Sequence, residues 1–140
     1  MSLYVESSAV LAWLLAEPGG AAIGLHLARS EVVLTSELTA LECHRALIRH
    51  VFTGNFSEAD AARERSRLQR ALAHWVCLRI EDEVLERARR PFPVEPIRSL
   101  DAIHLASALL AKTAISEIGL LTLDGKVREC GLELGFKVFP

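Results

Sequence analysis

The sequence predicts an α/β fold: a three-layer sandwich in which a central, mostly parallel sheet carries helices on both faces. Two observations predict it. Short apolar runs alternate along the chain with longer segments of helical periodicity, the pattern of strand–helix–strand crossovers. No internal repeat, low-complexity tract or linker interrupts them, so the 140 residues read as one domain, 1–140, large enough to bury a core without staples.

Each element has its own signal. Leu3-Tyr4-Val5 is an apolar run and reads as a strand. Ser7 to Ala16 follows with helical periodicity, stopped by Glu17-Pro18-Gly19-Gly20. A second helix covers Ala21 to Ala28, and Val32-Val33-Leu34 is the next strand. Thr35 or Ser36 caps a helix running to about Phe52. Thr53-Gly54-Asn55-Phe56 is a turn. Ser57 with Asp60 three residues on opens a helix to about Ala73. Trp75 to Ile80 alternates as a strand does, and Glu81 to Arg90 is helical. Pro91 to Pro96 is the clearest break. Ser99 opens an apolar helix to about Ala111. Gly119 to Leu123 is a strand, Gly125 to Cys130 a short helix, and Phe136 to Phe139 a last strand.

Composition narrows the function classes. Hydrophobic residues make up 51% and charged ones 24%, a globular balance. No apolar run approaches the ~18 residues of a membrane span. The early run Ala9 to Ala16 has no Lys or Arg before it, which argues against a secretory signal. Cys43, Cys77 and Cys130 are too few for a disulfide framework, so the expected compartment is the cytoplasm. A net charge of −2 does not by itself predict nucleic-acid binding. Yet 13 of the 16 basic residues are Arg, the residue suited to gripping phosphate through paired hydrogen bonds.

The acids are uneven: four Asp against 14 Glu. Glu6 follows the first strand directly, and Asp124 follows Leu120-Leu121-Thr122-Leu123 in the same way. Parallel sheets bind ligands just beyond such strand ends. Glu42 lies about two turns into the helix after the second strand. Asp101 lies in the first turn of a helix that is apolar nearly all round and therefore central to the fold. Four carboxylates at close range need a counter-charge. A hard divalent cation, Mg²⁺ or Mn²⁺, supplies it with oxygen ligands. Such an ion also suits a phosphodiester substrate.

Other constellations are weaker. His104 with Asp101 and Ser7 or Ser8 suggests a hydrolase triad, but no Gly-x-Ser-x-Gly elbow exists. His74, Cys77, Cys43 and His44 match no zinc spacing. Arg63, Arg67 and Arg70 share a helix face, either as a solvated face paired with Glu58 and Glu64 or as a phosphate track. Aromatic residues, at 6%, are too few for a base-stacking platform. Trp13 and Trp75 read as core or dimer contacts. Leu11, Trp13, Leu14 and Leu15 are candidates for a dimer surface or for core.

Taken in order, these segments resemble a known family. Tyr4-Val5-Glu6-Ser7-Ser8-Ala9-Val10-Leu11 resembles the opening of PIN-domain ribonucleases. Ser36 to Leu47 (SELTALECHRAL) is similar to their second motif. Ser99 to Leu109 (SLDAIHLASAL) is similar to the third and is the most specific. Thr122-Leu123-Asp124, with the run to Gly135-Phe136-Lys137-Val138, resembles the closing motif. The size points to the VapC-like toxin branch. The resemblance implies a PIN-like sandwich and a Mg²⁺- or Mn²⁺-dependent endoribonuclease with an acidic quartet of Glu6, Glu42, Asp101 and Asp124. It implies Glu6 and Asp101 as principal metal ligands and Thr122 beside the site, with His104 a buried accessory. It also implies RNA as substrate, an antitoxin partner and a homodimer.

One departure matters. The family has Asp at the first position, and this chain has Glu6. The extra methylene adds roughly 1.5 Å of bond length, and a misplacement of about 1 Å can cost a hundredfold in rate. The alternative is therefore a PIN-fold module that binds RNA or a partner with weak or no cleavage.

Overall fold

A computed structural model describes residues 1–140. The elements run β1 (Ser2–Val5), α1 (Ser7–Leu14), α2 (Gly20–Arg29), β2 (Val32–Ser36), α3 (Glu37–Phe52), α4 (Glu58–His74), β3 (Val76–Leu78), α5 (Asp82–Ala88), α6 (Ser99–Ala114), β4 (Gly119–Leu121), α7 (Gly125–Glu133) and β5 (Val138–Phe139). The five strands lie in the order β3-β2-β1-β4-β5, and every pairing is parallel. The expected α/β three-layer sandwich is what the chain forms.

Alternation along β1 divides the core. Leu3 and Val5 point to one face and Tyr4 to the other, as successive strand side chains must. On the first face lie Val10 and Leu14 of α1, Ile23 of α2, Leu47 of α3 and Leu68 of α4. On the second lie Leu105 and Ala108 of α6, Val127 and Cys130 of α7, and Phe136. Helices α1–α4 thus cover one side of the sheet and α5–α7 the other.

Local chemistry sets the element ends. Ser36 caps α3, accepting from the Thr39 N–H at 3.5 Å. Thr35 is engaged elsewhere: its hydroxyl donates to the Val5 carbonyl at 2.7 Å and ties β2 to β1. Ser57 and Asp60 form a full capping box on α4. Helix α1 ends at Leu14, two residues sooner than its periodicity suggests, because Ala16 adopts a positive φ of 52°. The α1–α2 turn then needs its glycines. Gly19 has φ 89°, and a Cβ on Gly20 would meet the Ala12 carbonyl oxygen at 2.2 Å. Strands β3 and β5 are shorter than expected. Phe136, read as strand, is instead a buried core side chain ahead of β5.

Candidate active site

β1 and β4 are hydrogen-bonded neighbours, with Val5 beside Leu121. Their carboxyl ends therefore deliver Glu6 and the segment Thr122–Asp124 to one place. Glu6 is 3% exposed and is the N-cap of α1. Its Oε2 accepts from the Ser8 N–H at 3.0 Å, and its Oε1 accepts from the Thr122 hydroxyl at 2.7 Å and from the Ser8 hydroxyl. Both hydroxyls also accept from the β4–α7 loop: Ser8 from the Leu123 N–H and Thr122 from the Asp124 N–H, each at 3.0 Å. Glu6 is thus fastened to the loop that carries Asp124. A carboxylate offers about four lone-pair sites. Three are taken, and the remaining one is on Oε2.

Asp124 caps α7, its Oδ1 accepting from the Val127 N–H at 2.9 Å. Asp101 lies in the first turn of α6. These two carboxylates line one cleft of about 540 Å³ with Pro96, Ile97, Arg98 and Lys126. Neither takes part in an ion pair; the pairs involving Lys or Arg lie on α4 and α5. Burial pushes the Asp101 carboxyl above its ordinary range. The negative charges of Asp124, Glu6 and Glu42 add to the rise, and His104 opposes it.

Glu42 belongs to a second network. Its Oε1 accepts from His104 Nε2 at 2.6 Å and from the Ser7 hydroxyl at 2.7 Å. So short a contact to a carboxylate places the imidazole proton on Nε2. Burial alone would raise the Glu42 carboxyl. The hydrogen bonds from His104 and Ser7, with the electrostatic pull of His104, outweigh it and hold the group below the usual range.

This network is not a hydrolase triad. Ser7 Oγ lies 3.1 Å from the same Nε2, and the buried Nδ1 has no partner. A triad needs the acid on one ring nitrogen and the serine on the other.

The other candidates resolve as structure. Cys43 is buried, its thiol pushed up to about 12 by burial and by the charges of Glu42 and Glu6. Arg63 pairs with Asp60 and Arg67 with Glu64, so that face is largely satisfied. Trp13 and Trp75 pack together at 6.1 Å, with the Arg67 guanidinium over the Trp13 ring. Leu14 is core, with Leu11, Trp13 and Leu15 packed partly buried against it. Sequence reasoning misses three roles at the site: Ser8 as a support of Glu6, and Arg98 and Lys126 as cations on the cleft. The signal for Ser8 was its place in the first turn after a strand-end acid.

The donor set suits a hard divalent cation. No group of three or more His, Cys, Asp or Glu side chains is arranged around a single point. Two carboxylates completed by waters suffice for Mg²⁺, and the uncompensated charge on Asp101 and Asp124 matches that need. Hydroxyl groups holding a carboxylate, as Ser8 and Thr122 hold Glu6, are the usual support of a metal ligand.

The family model of the PIN domain matches residues 3–131. The chain is 33% identical over 137 residues to Ribonuclease VapC46 of Mycobacterium tuberculosis, covering 98% of this chain and 95% of that protein. Among solved structures, a toxin-antitoxin complex from Klebsiella pneumoniae aligns with a TM-score of 0.66 at 16% identity, covering 99% of this chain and 96% of that one. Mycobacterium tuberculosis VapC20, a Sarcin-Ricin loop cleaving toxin, aligns with a TM-score of 0.66 at 16% identity, covering 96% and 95%.

Proposed function

The chain belongs to the PIN domain family, in its VapC-like branch, and from that premise we propose that it is a divalent-metal-dependent endoribonuclease. It hydrolyses RNA phosphodiester bonds at a site formed by Glu6, Glu42, Asp101 and Asp124. The observation that carries this reading is the cleft beyond the strand ends, where Asp101 and Asp124 face one space without a Lys or Arg ion pair.

In this reading Asp101 and Glu6 would hold Mg²⁺ or Mn²⁺; Glu6 keeps one lone pair that the chain does not use. A bound ion supplies Lewis-acid stabilisation of the phosphate and a more acidic water. Asp124 keeps one carboxylate oxygen for the cleft while the other caps α7. Glu42 is held at Oε1 by His104 and Ser7, leaving Oε2 free to orient a water and accept its proton. Thr122 and His104 are positioning residues. They fix Glu6 and Glu42, and neither needs to touch RNA.

The biological role that fits is the toxin of a toxin–antitoxin pair, acting as a homodimer in the cytoplasm and held silent by an antitoxin protein. The likeness to Ribonuclease VapC46 and the fold shared with a toxin-antitoxin complex support the toxin role and the antitoxin partner.

The test is cleavage of total RNA by the purified chain with Mg²⁺ or Mn²⁺, beside Asp101→Asn and a chelator control. Cleavage lost in both controls is the expected result. An Asp101→Asn chain cleaving as fast as the parent would refute the mechanism.

A further inference from the structure

We propose that Arg98 and Lys126 form a phosphate clamp that seats single-stranded RNA across the acidic cleft, an inference that rests on the nuclease reading above. Both line the cleft that Asp101 and Asp124 share. Arg63, Arg67 and Arg89 each pair with an acid three residues before them, Asp60, Glu64 and Glu86. Arg98 and Lys126 have two carboxylates on the same cleft and form no ion pair with either.

Their placement also runs against helix electrostatics. Arg98 is the N-cap of α6, where it makes no side-chain capping bond. Lys126 is the second residue of α7, which Asp124 caps. The N-terminal end of a helix is positive and disfavours a cation. Each helix start also bears an acid, Asp101 in the first turn of α6 and Asp124 capping α7, so cation and acid stand side by side on the cleft.

The charge pattern selects the ligand. A cleft with acids alone would repel RNA, and one with cations alone would not hold a divalent ion. Acids and unpaired cations on one cleft suit a phosphodiester backbone. The acids serve the ion at the scissile phosphate, and the cations take oxygens of the phosphates beside it.

The test is binding of fluorescein-labelled single-stranded RNA of mixed sequence, measured against salt. The Asp101→Asn chain is the background, because it removes a repelling charge and blocks cleavage. Arg98→Ala and Lys126→Ala should each weaken binding and lower the slope of log Kd against log salt by about 0.7, the value of one lost phosphate contact on a single strand. Arg98→Lys and Lys126→Arg should restore the slope, and Arg63→Ala should leave it unchanged. Thermal stability should stay level or rise in both alanine variants, since each removes a cation from a helix N-terminus.

An unchanged slope in both alanine variants, with RNA still bound, overturns the clamp alone. It would leave the two cations to an acidic segment of a protein partner. Failure of the background chain to bind RNA at all overturns the clamp and the nuclease reading together.

Discussion

The Thr122 hydroxyl stands 2.7 Å from Oε1 of Glu6, 116 residues away in sequence, and donates to it from a fully buried position. The Thr122 hydroxyl oxygen in turn accepts the Asp124 N–H at 3.0 Å. One hydroxyl thus joins the acid after β1 to the acid after β4, and the geometry of the cleft depends on it.

Replacing that hydroxyl with a methyl group tests the link. Thr122→Val keeps the shape but leaves a buried carboxylate oxygen one donor short and the Asp124 N–H without an acceptor. An unpaired buried polar group costs about 1–3 kcal/mol. Thermal or denaturant unfolding should show a loss of that order, with slower RNA cleavage. Thr122→Ser should retain most of both.

Asp101 should show the opposite balance between stability and function. Its carboxyl is raised in the folded chain, by burial first and by the neighbouring acids next. The folded state therefore binds its proton more tightly than the unfolded state, and the ionised form costs stability. That cost is absent at low pH and grows as pH rises from the unfolded value through the folded one. In metal-free protein Asp101→Asn should melt higher than the parent at pH 7, and the difference should vanish in acid. Calorimetric scans in chelator at both pH values check this.

His104 holds Glu42 in its lowered state. The folded pKa lies below the unfolded one, so the pair contributes stability above the unfolded carboxylate range. That contribution is lost as pH falls through the folded value. His104→Leu removes the Nε2 donor and should raise the Glu42 pKa. Carbon-detected NMR titration of the Glu42 carboxyl reads it directly. Cleavage should fall mainly in kcat, because the residue acts through Glu42 and not on the RNA.

Glu6→Asp separates an enzyme from a binding module. The hydrogen bonds from Ser8 and Thr122 are fitted to the longer side chain. The parent should cleave RNA, and the shorter acid should slow it and lower stability. Cleavage appearing only in Glu6→Asp would establish the binding-module reading.

Much of this was legible in the sequence, for physical reasons. Leu3-Tyr4-Val5 and Val32-Val33-Leu34 announced strands because parallel strands buried on both faces are continuously apolar. Ser57 and Asp60 announced α4 because a capping box is a local motif. The early end of α1 was not legible, since the positive φ of Ala16 leaves no mark in residue type. Strand order was also hidden. Only the adjacency of β1 and β4 explains why Glu6 meets Thr122. Of the candidate acids, Glu6 and Asp124 stand out at strand ends and Asp101 at a helix start, whereas Glu42, well inside α3, has no such mark. The supports of these acids have none either, because Ser8 meets Leu123 across 115 residues and His104 meets Glu42 across 62. The unpaired cations Arg98 and Lys126 emerge only when two helix starts are seen to share one cleft.

The central claim is that these acids form a metal site, and calorimetric titration of Mn²⁺ into the purified chain, beside Asp101→Asn, tests it most directly. The account predicts saturable binding to the parent and its loss in the variant. Equal binding by both, or no binding to the parent at millimolar metal, would contradict it.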